Sequence, residues 1–560
     1  MRLVVDSFLL FSKTDESFAK RCAPLRTAAF IGLSALLVPS MLWAAPGALD
    51  PTFASSGVDD NLDTYELVTS LALRSDERVL VGGSYQFLSG ASCGQEWEIF
   101  ARGANGGADS TFANSAGQLL FPVGGNCNNN HQASSGIGSV VVQSDGKILA
   151  TGWGLDANGN QAVRLMRWNA DGSIDTSYHA TGGVKTSFDT SAFPGSLALQ
   201  KDGKALVAGL QRGATANDPQ QVFLLRYSAS GNLDGAFGTA GLVEIPGADF
   251  GGPGATSGSI TIQPDGKILL GVVKESGTPE VIRFTSSGQL DPTFGSGGVA
   301  AFGFGTTPST GLAVQPDGKI VAATFTDSGG FVFRLLANGS LDTAFNTQGW
   351  VGLNLASLYC LALTPTGQIL ASGWNANGLE TARVTSGGQL DTSYTNGSGN
   401  TGYVNDGLPG GGSAECDSIQ LLPDGRFIVA GTDVSKTMVA RFQGDALDLQ
   451  PDAFAFSPVT GAPISTVEVS NTVVVSGLTA GAKVPILVSG SGLYRINAEA
   501  WTTAIGYVAN GDKIRVKHTS APTHASQVTT TLQVGGLNSP NSPWVVRGGQ
   551  VNATFTSTTL

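Results

Sequence analysis

The chain has 560 residues, room for two or more domains with full cores, and its 77 glycines are about twice the usual share. Charged residues make up 13% and hydrophobic ones 41%, which argues against a helical bundle and against a disordered chain. The formal net charge of −12 sets the surface against nucleic acid and anionic lipid at long range.

Residues 1–44 read as a signal peptide. Lys13, Lys20, Arg21 and Arg26 precede an apolar run from Ala28 to Val38, and "SMLWAAPG" supplies small residues for cleavage near Ala44. A signal anchor is the competing reading, but Pro39 breaks the run, which is short for a span. No later stretch would cross a bilayer, so no membrane span is expected after cleavage. Cleavage removes five bases and three acids, leaving a net charge of −14. Four cysteines remain, Cys93, Cys127, Cys360 and Cys416. An even set in an exported chain reads as two disulfides, in any of three connectivities.

From residue 45 the chain repeats itself. "LDPTFASSGV" at Leu49–Val58 returns as "LDPTFGSGGV" at Leu290–Val299. Looser copies place the acid at Asp109, Asp175, Asp234, Asp342, Asp391 and Asp448 as well as Asp50 and Asp291. An arginine stands seven or eight residues before every copy but the first: Arg102, Arg167, Arg226, Arg283, Arg334, Arg383 and Arg441. A second element, "VVVQSDGKIL" in its fullest form, sets a "DG" turn between apolar runs, a strong hairpin signal. Each unit then has four short strands: a ("LAVQ"), b ("KILVAG"), c (the arginine strand) and d ("LDTSF"). Units of 49–66 residues without helices are expected to be the blades of a β-propeller. Seven a–b hairpins and seven arginine strands stand against eight "LD" elements. Leu49–Phe53 is therefore expected to cross back as strand d of the last blade, beside Met438–Phe442, closing a seven-bladed ring with no free edge.

The "QPDGKI" turn, together with the Arg…"DGSLDTSFG…GGV" pattern, resembles the delta-60 repeat, a β-propeller family of secreted bacterial proteins of undefined function. The resemblance covers roughly residues 49–445. It implies architecture and export, to the periplasm or the extracellular space, and no catalytic residues. From Pro451 the pattern changes to alternating runs such as "KVPILVSGSGLYRI" and "YVANGDKIRVKH". These fit a small β-sandwich over residues 446–560 that resembles Ig-like modules of secreted bacterial proteins. Trp501 and Trp544 are expected to fill its core.

Repetition weighs on the site residues too. The Arg–Asp ladder of Arg102/Asp109, Arg167/Asp175, Arg226/Asp234, Arg283/Asp291, Arg334/Asp342, Arg383/Asp391 and Arg441 is expected to brace blades, since one ligand rarely needs seven equal contacts. "GASCG" at Gly90–Gly94 matches a nucleophile elbow in form, but that motif needs a strand-to-helix turn. Ser92 is not expected to be a nucleophile. His131, His179, His518 and His524 lack zinc-ligand spacing. "LDANGN" offers Asp156, Asn158 and Asn160 as a fragment of a calcium loop without its closing Glu. It is the weak metal candidate, and no other cofactor is expected.

Strand direction separates two faces. The a–b and c–d turns leave on one, uniform around the ring. The b–c loops and d–a crossovers leave on the other and carry the length variation, which is where binding residues normally sit. The cysteines fall on or near this variable face, so Cys93 with Cys127 would staple blades one and two, and Cys360 with Cys416 blades six and seven. Trp153, Trp374, Phe325 and Tyr85 lie there as ligand-stacking candidates. The expected function is a non-catalytic binding, adhesion or scaffold role toward a protein or glycan. Two alternatives are a carbohydrate-active hydrolase or lyase drawing on Glu96, Glu98, Asp156, Asp249 and Asp327, and a purely structural matrix protein.

Overall fold

The computed structural model describes residues 45–560 apart from 60–65, 75, 90–91, 127–134, 214–219, 251–258, 275–276, 303–310, 316, 327, 376–377, 397–401, 406–414, 423, 433–436, 446, 481, 504–505 and 536–550. Among these residues there is no α-helix, and the secondary structure is β apart from one 3₁₀ turn at Phe345–Thr347.

Every repeat forms its own antiparallel sheet. In the second, strand a is Gly136–Val142, b is Ile148–Leu155, c is Gln161–Trp168 and d is Gly183–Thr186, paired in that order. The same order recurs in each repeat from the first, opening at Glu66, to the sixth, ending at Val404. Strands b and c are buried along most of their length and run apolar on both faces, because each sheet has a neighbour on either side. Leu149, Val163 and Leu165 of the second sheet pack with Val207, Phe223 and Tyr227 of the third. Phe53, Val79 and Val81 at the front of the chain pack with Ile428, Ala430 and Val439 of the seventh sheet. The last sheet thus packs against the first. This is propeller architecture, with its cores between sheets and not at one centre.

The outer strand is not the "LDTSF" element. That element makes a single bridge to the end of strand c, as in Trp168 with Ile174, and then turns. Strand d is the "GGV" segment that follows it. Asp175 is the reason: its side chain accepts from the N–H and the hydroxyl of Ser177, which bends the backbone out of the ladder. Closure follows the same rule. In the seventh sheet Leu49 only bridges Phe442, and the fourth strand is Val58–Asp59, paired with Ala440 and Val439.

The innermost strands are also stitched together. The hydroxyl of Ser70 accepts from the N–H of Val140 in the next sheet, Ser196 from Ile260 and Ser259 from Leu312. In the sixth sheet Cys360 holds the place that Ser70 and Ser196 hold, just past the bulge in strand a. Cys360 is bonded to Cys416 of the seventh sheet, with 5.9 Å between their Cα atoms, and both are buried. A covalent link replaces the hydroxyl stitch there. Cys127 lies outside the described residues, and so does the side chain of Cys93.

Past Leu447 the chain forms two facing sheets. One carries Lys483–Ser489, Gln527–Val534 and Val551–Thr559; the other is built on Lys513–Thr519, with Leu493–Ile496 on one side and Val467–Val469 on the other. Val484, Ile486, Tyr494, Ile514, Val516, Leu532 and Phe555 fill the space between them. His518 is buried there, bonded to Thr530 and Ser557, and burial lowers its pKa. Trp501 is not a core filler. It is half-buried, with the Arg495 guanidinium 4.9 Å and the Lys517 ammonium 4.7 Å from its ring. Trp544 lies outside the described residues.

Candidate functional site

The repeated polar residues resolve into one brace per sheet. In the second sheet Arg167 donates from Nε to Asp175 Oδ2 (2.8 Å) and Lys147 donates to the same oxygen (2.9 Å). The Tyr178 ring lies 4.4 Å from the guanidinium, a cation–π contact. Arg167 Nη1 donates outward to the carbonyl of Ala229, in the c–d turn of the third sheet. The N–H of His179 reaches the same turn at Ser230. Gly231 of that turn has φ +90, and a Cβ there would come 2.8 Å from the Tyr178 ring, so a glycine is required twice over.

Arg226/Asp234, Arg283/Asp291 and Arg334/Asp342 repeat the plan, reaching the carbonyls of Ser286, Ala337 and Ser386 in the next sheets. Arg383/Asp391 reaches the Asp445 carboxylate instead. Burial pushes the pKa of these aspartates up, but the bonds from Lys204, Thr293, Ser393 and the arginines outweigh it, and all are held low. One side chain therefore braces its own sheet and clamps the next.

The first sheet departs from the expected pairing. Arg78 takes the lysine's place and donates to Asp109 Oδ2 (2.7 Å). Arg102 turns instead to Asp59 on the closing strand (2.6 Å), and the outward clamp passes to Arg74, which donates to Ala170 O (2.7 Å). At the seam Arg441 and Arg426 both donate to Asp50 Oδ2 at 2.9 Å, and Arg426 also holds Glu77 and Asp424. Burial opposes ionisation of Asp50, yet Thr52 and the two guanidiniums hold its pKa at about 2. Glu77 moves the other way, raised by burial and by the Asp424 charge against the pull of Arg426 and Arg441. Among the described members of this cluster three acids meet two arginines, so the surplus falls on Glu77.

The opposite face is built differently. Trp153, at the end of strand b in the second sheet, is half-buried and packs edge-on against Phe193 of the third, 5.8 Å between centroids. Arg212 lies over Phe193 at 4.6 Å. The indole nitrogen of Trp97 donates to Trp153 O (3.1 Å), while the buried indole nitrogen of Trp153 has no hydrogen-bond partner. Neighbouring Gly152 lets the strand approach: a Cβ there would lie 2.0 Å from Gly136 O. Phe325 pairs in the same manner with Tyr359 of the sixth sheet (5.1 Å). Tyr85 lies within strand b of the first sheet, Val79–Ser89, opposite Glu96 and is half-buried. Trp374 occupies in the sixth sheet the strand position that Trp153 has in the second, opposite Ser357, and its side chain lies outside the described residues. Phe193, Arg212 and Tyr359 are members that sequence reading missed. Phe193 and Tyr359 belong to the sheet after the one they serve, so only the packing between repeats reveals them.

The remaining candidates separate. Asp156 Oδ1 accepts from the N–H groups of Asn158 (2.8 Å) and Asn160 (3.0 Å), so the one carboxylate of the calcium-like loop caps its own turn. A slight loss of hydration works against its ionisation, but those N–H groups and the Lys185 charge hold its pKa low. Glu98 is fully buried and bonded by Gln118. Asp249 accepts from the N–H of Phe250, and Asp327 lies outside the described residues. Ser92 opens a hairpin strand and not a strand-to-helix turn. Among the described residues no three of His, Cys, Asp and Glu are placed to hold a metal ion, and no helix is long and apolar enough to cross a membrane. A cleft of about 770 Å³ runs between the outer parts of the third and fourth sheets, lined by Leu242, Val243, Ile245 and Phe284 with Glu244 and Lys274.

A family described as "Domain of unknown function (DUF5122) beta-propeller" matches residues 143–178, 200–237, 263–294 and 315–345. Each match opens in an a–b turn and runs to the aromatic residue of the brace. Among curated proteins none matches. Solved structures that align include a glucose dehydrogenase (11% identity, 70% of this chain, 99% of that one, TM-score 0.34). A soluble aldose sugar dehydrogenase from Escherichia coli aligns at 12% identity over 69% of this chain and 98% of that one, TM-score 0.33. An α-L-arabinofuranosidase from Fusarium graminearum aligns at 9% identity over 72% and 98%, TM-score 0.31. At these scores the likeness carries no argument about activity.

Proposed function

We propose that the chain is an exported seven-bladed propeller of the delta-60 type with an Ig-like tail, and that it binds a protein or glycan on its variable face. Residues 1–44 act as the signal peptide, 45–445 form the ring and 446–560 the tail. The observation that carries the reading is the division of labour between faces. On one, the arginines, aspartates and turn glycines are engaged in holding sheets together. On the other, aromatic side chains remain half-buried at strand ends, with Trp153, Phe193 and Arg212 side by side and an indole N–H lacking a partner. Such a group offers a flat apolar surface and a cation, which suits a sugar ring or a peptide side chain.

The test is thermal unfolding of the oxidised protein against glycan and cell-envelope fractions. A ligand at a hundredfold excess over its Kd raises stability by about 2.7 kcal/mol. Loss of that shift in Trp153→Ala or Arg212→Ala, with the unliganded midpoint little changed, would support the site. A shift that survives both substitutions would place binding elsewhere and sink this reading.

A further inference from the structure

The tail carries a charge pattern opposite to the rest. Residues 45–445 hold 20 Lys and Arg against 35 Asp and Glu, whereas residues 446–560 hold six against five. Four of those six cations stand on two neighbouring strands. Ile514, Val516 and His518 point into the core, so alternation sends Lys513, Arg515 and Lys517 to the outer face of the sheet. On the adjacent strand Arg495 lies directly opposite Arg515, and Leu493 opposite Lys517. Trp501 packs against the Arg495 and Lys517 cations.

Two features mark this face as more than a solvated surface. Like charges directly opposite one another destabilise a strand pair, so Arg495 and Arg515 impose a cost that an anion would relieve. The Nε of Arg495 is buried and has no hydrogen-bond partner. Among the described residues no carboxylate forms an ion pair with any of the four cations. Asp512, next to Lys513, accepts instead from Asn497 Nδ2 and the Ala509 N–H.

We propose that this face, formed by Arg495, Lys513, Arg515, Lys517 and Trp501, binds an acidic polysaccharide. Paired guanidiniums receive a carboxylate or sulfate group through several N–H donors, and the indole receives the apolar face of a sugar ring. The charge balance favours this ligand over nucleic acid. A duplex packs one charge into about 1.7 Å of its length and would be repelled by the acidic ring close by, whereas a uronic-acid polymer carries at most one charge per sugar. The site is independent of the variable face of the propeller.

Polygalacturonate is the probe, with neutral dextran, duplex DNA and the protein's own self-association as comparisons, all on the full chain. Lys513→Gln/Lys517→Gln is the principal variant because Lys513 is exposed and Lys517 lies outside the core; its unliganded midpoint should match that of the wild type. Binding of polygalacturonate and not dextran is expected, weakened about tenfold or more in the double variant, with a shallower salt dependence. Trp501→Ala should weaken it further, and Trp501→Phe should restore most of the loss. No binding at low salt, or binding untouched by the double variant, would overturn the proposal. So would duplex DNA bound as tightly as the glycan, or self-association abolished by the double variant in a protein that ignores the glycan.

Discussion

The two faces of the ring are made from the same repeats and behave as different materials. On the brace face the arginine of the second to the fifth sheets has an aspartate beside it, an aromatic ring against it and a carbonyl of the next sheet ahead of it, as at Arg283, so one residue enforces both strand geometry and sheet spacing. On the variable face the equivalent positions differ from sheet to sheet, as Ser84, Trp153, Leu210, Val273 and Phe325 show. The lesson is that repetition points to scaffold and its interruption points to work. Neither the most abundant charged residues nor the most regular ones are where a ligand is to be sought.

Substitution at a brace should produce the largest effect. Arg283→Ala takes the buried guanidinium from Asp291, leaving Lys267 and Thr293 on the carboxylate, and removes the clamp on Ala337, so chemical denaturation should show a loss of about 3 kcal/mol. Asp291→Asn in the same background should recover part of it, because the stranded charge is gone. A loss under 1 kcal/mol would mean that the two faces are not distinct in kind.

The disulfide comes next. Cys360→Ala/Cys416→Ala should lower stability by about 2–4 kcal/mol. Cys360→Ser/Cys416→Ala should lose less, since a hydroxyl at residue 360 would accept from the next inner strand as Ser196 does. Equal losses would deny that the covalent link and the hydroxyl stitch share a role.

Acid should separate the faces by pH. The folded chain keeps Asp50, Asp109, Asp234, Asp342 and Asp391 ionised below the pH at which the unfolded chain protonates them. The stability they contribute is complete above the ordinary aspartate value of 3.8 and is lost as the pH falls towards 2, the value for Asp50. Glu77 has the reverse sign. Its raised pKa means that ionisation above the ordinary 4.5 costs the fold free energy. Glu77→Gln should therefore raise the midpoint at pH 7, where Asp50→Asn lowers it. A midpoint lowered by both would show that Glu77 belongs to the stabilising set.

The smallest effect on stability belongs to the variable face. Trp153→Ala should cost about 1–2 kcal/mol through its contact with Phe193, far less than a brace arginine. It should cost nearly all ligand binding at that site. A Trp153 variant as unstable as Arg283→Ala would make this residue a blade plug.

Much of this was legible in the chain itself. In the five sheets where the arginine stands eight residues before its aspartate a tight turn intervenes, and the pairing follows from that turn. The outer strand was misread because "LDTSF" looks like a strand, while the side chains of Asp175 and Ser177 fold it into a turn. The exchange of partners among Arg78, Arg102 and Arg74 depends on where the closing strand puts Asp59, a contact across 43 residues that no local pattern encodes. The Phe193–Trp153 contact was hidden for the same reason, since it arises from the spacing of neighbouring sheets.

The seam also imposes an order on biosynthesis. Asp50 emerges from the ribosome early, yet the guanidiniums that neutralise it come 376 and 391 residues later. A product that ends prematurely holds an acid with no counterion and a first sheet with no neighbour on one side, a surface open to strand pairing and proteolysis. Only a chain translated past Arg441 can neutralise Asp50, so the stability of the first sheet is tied to the arrival of the last.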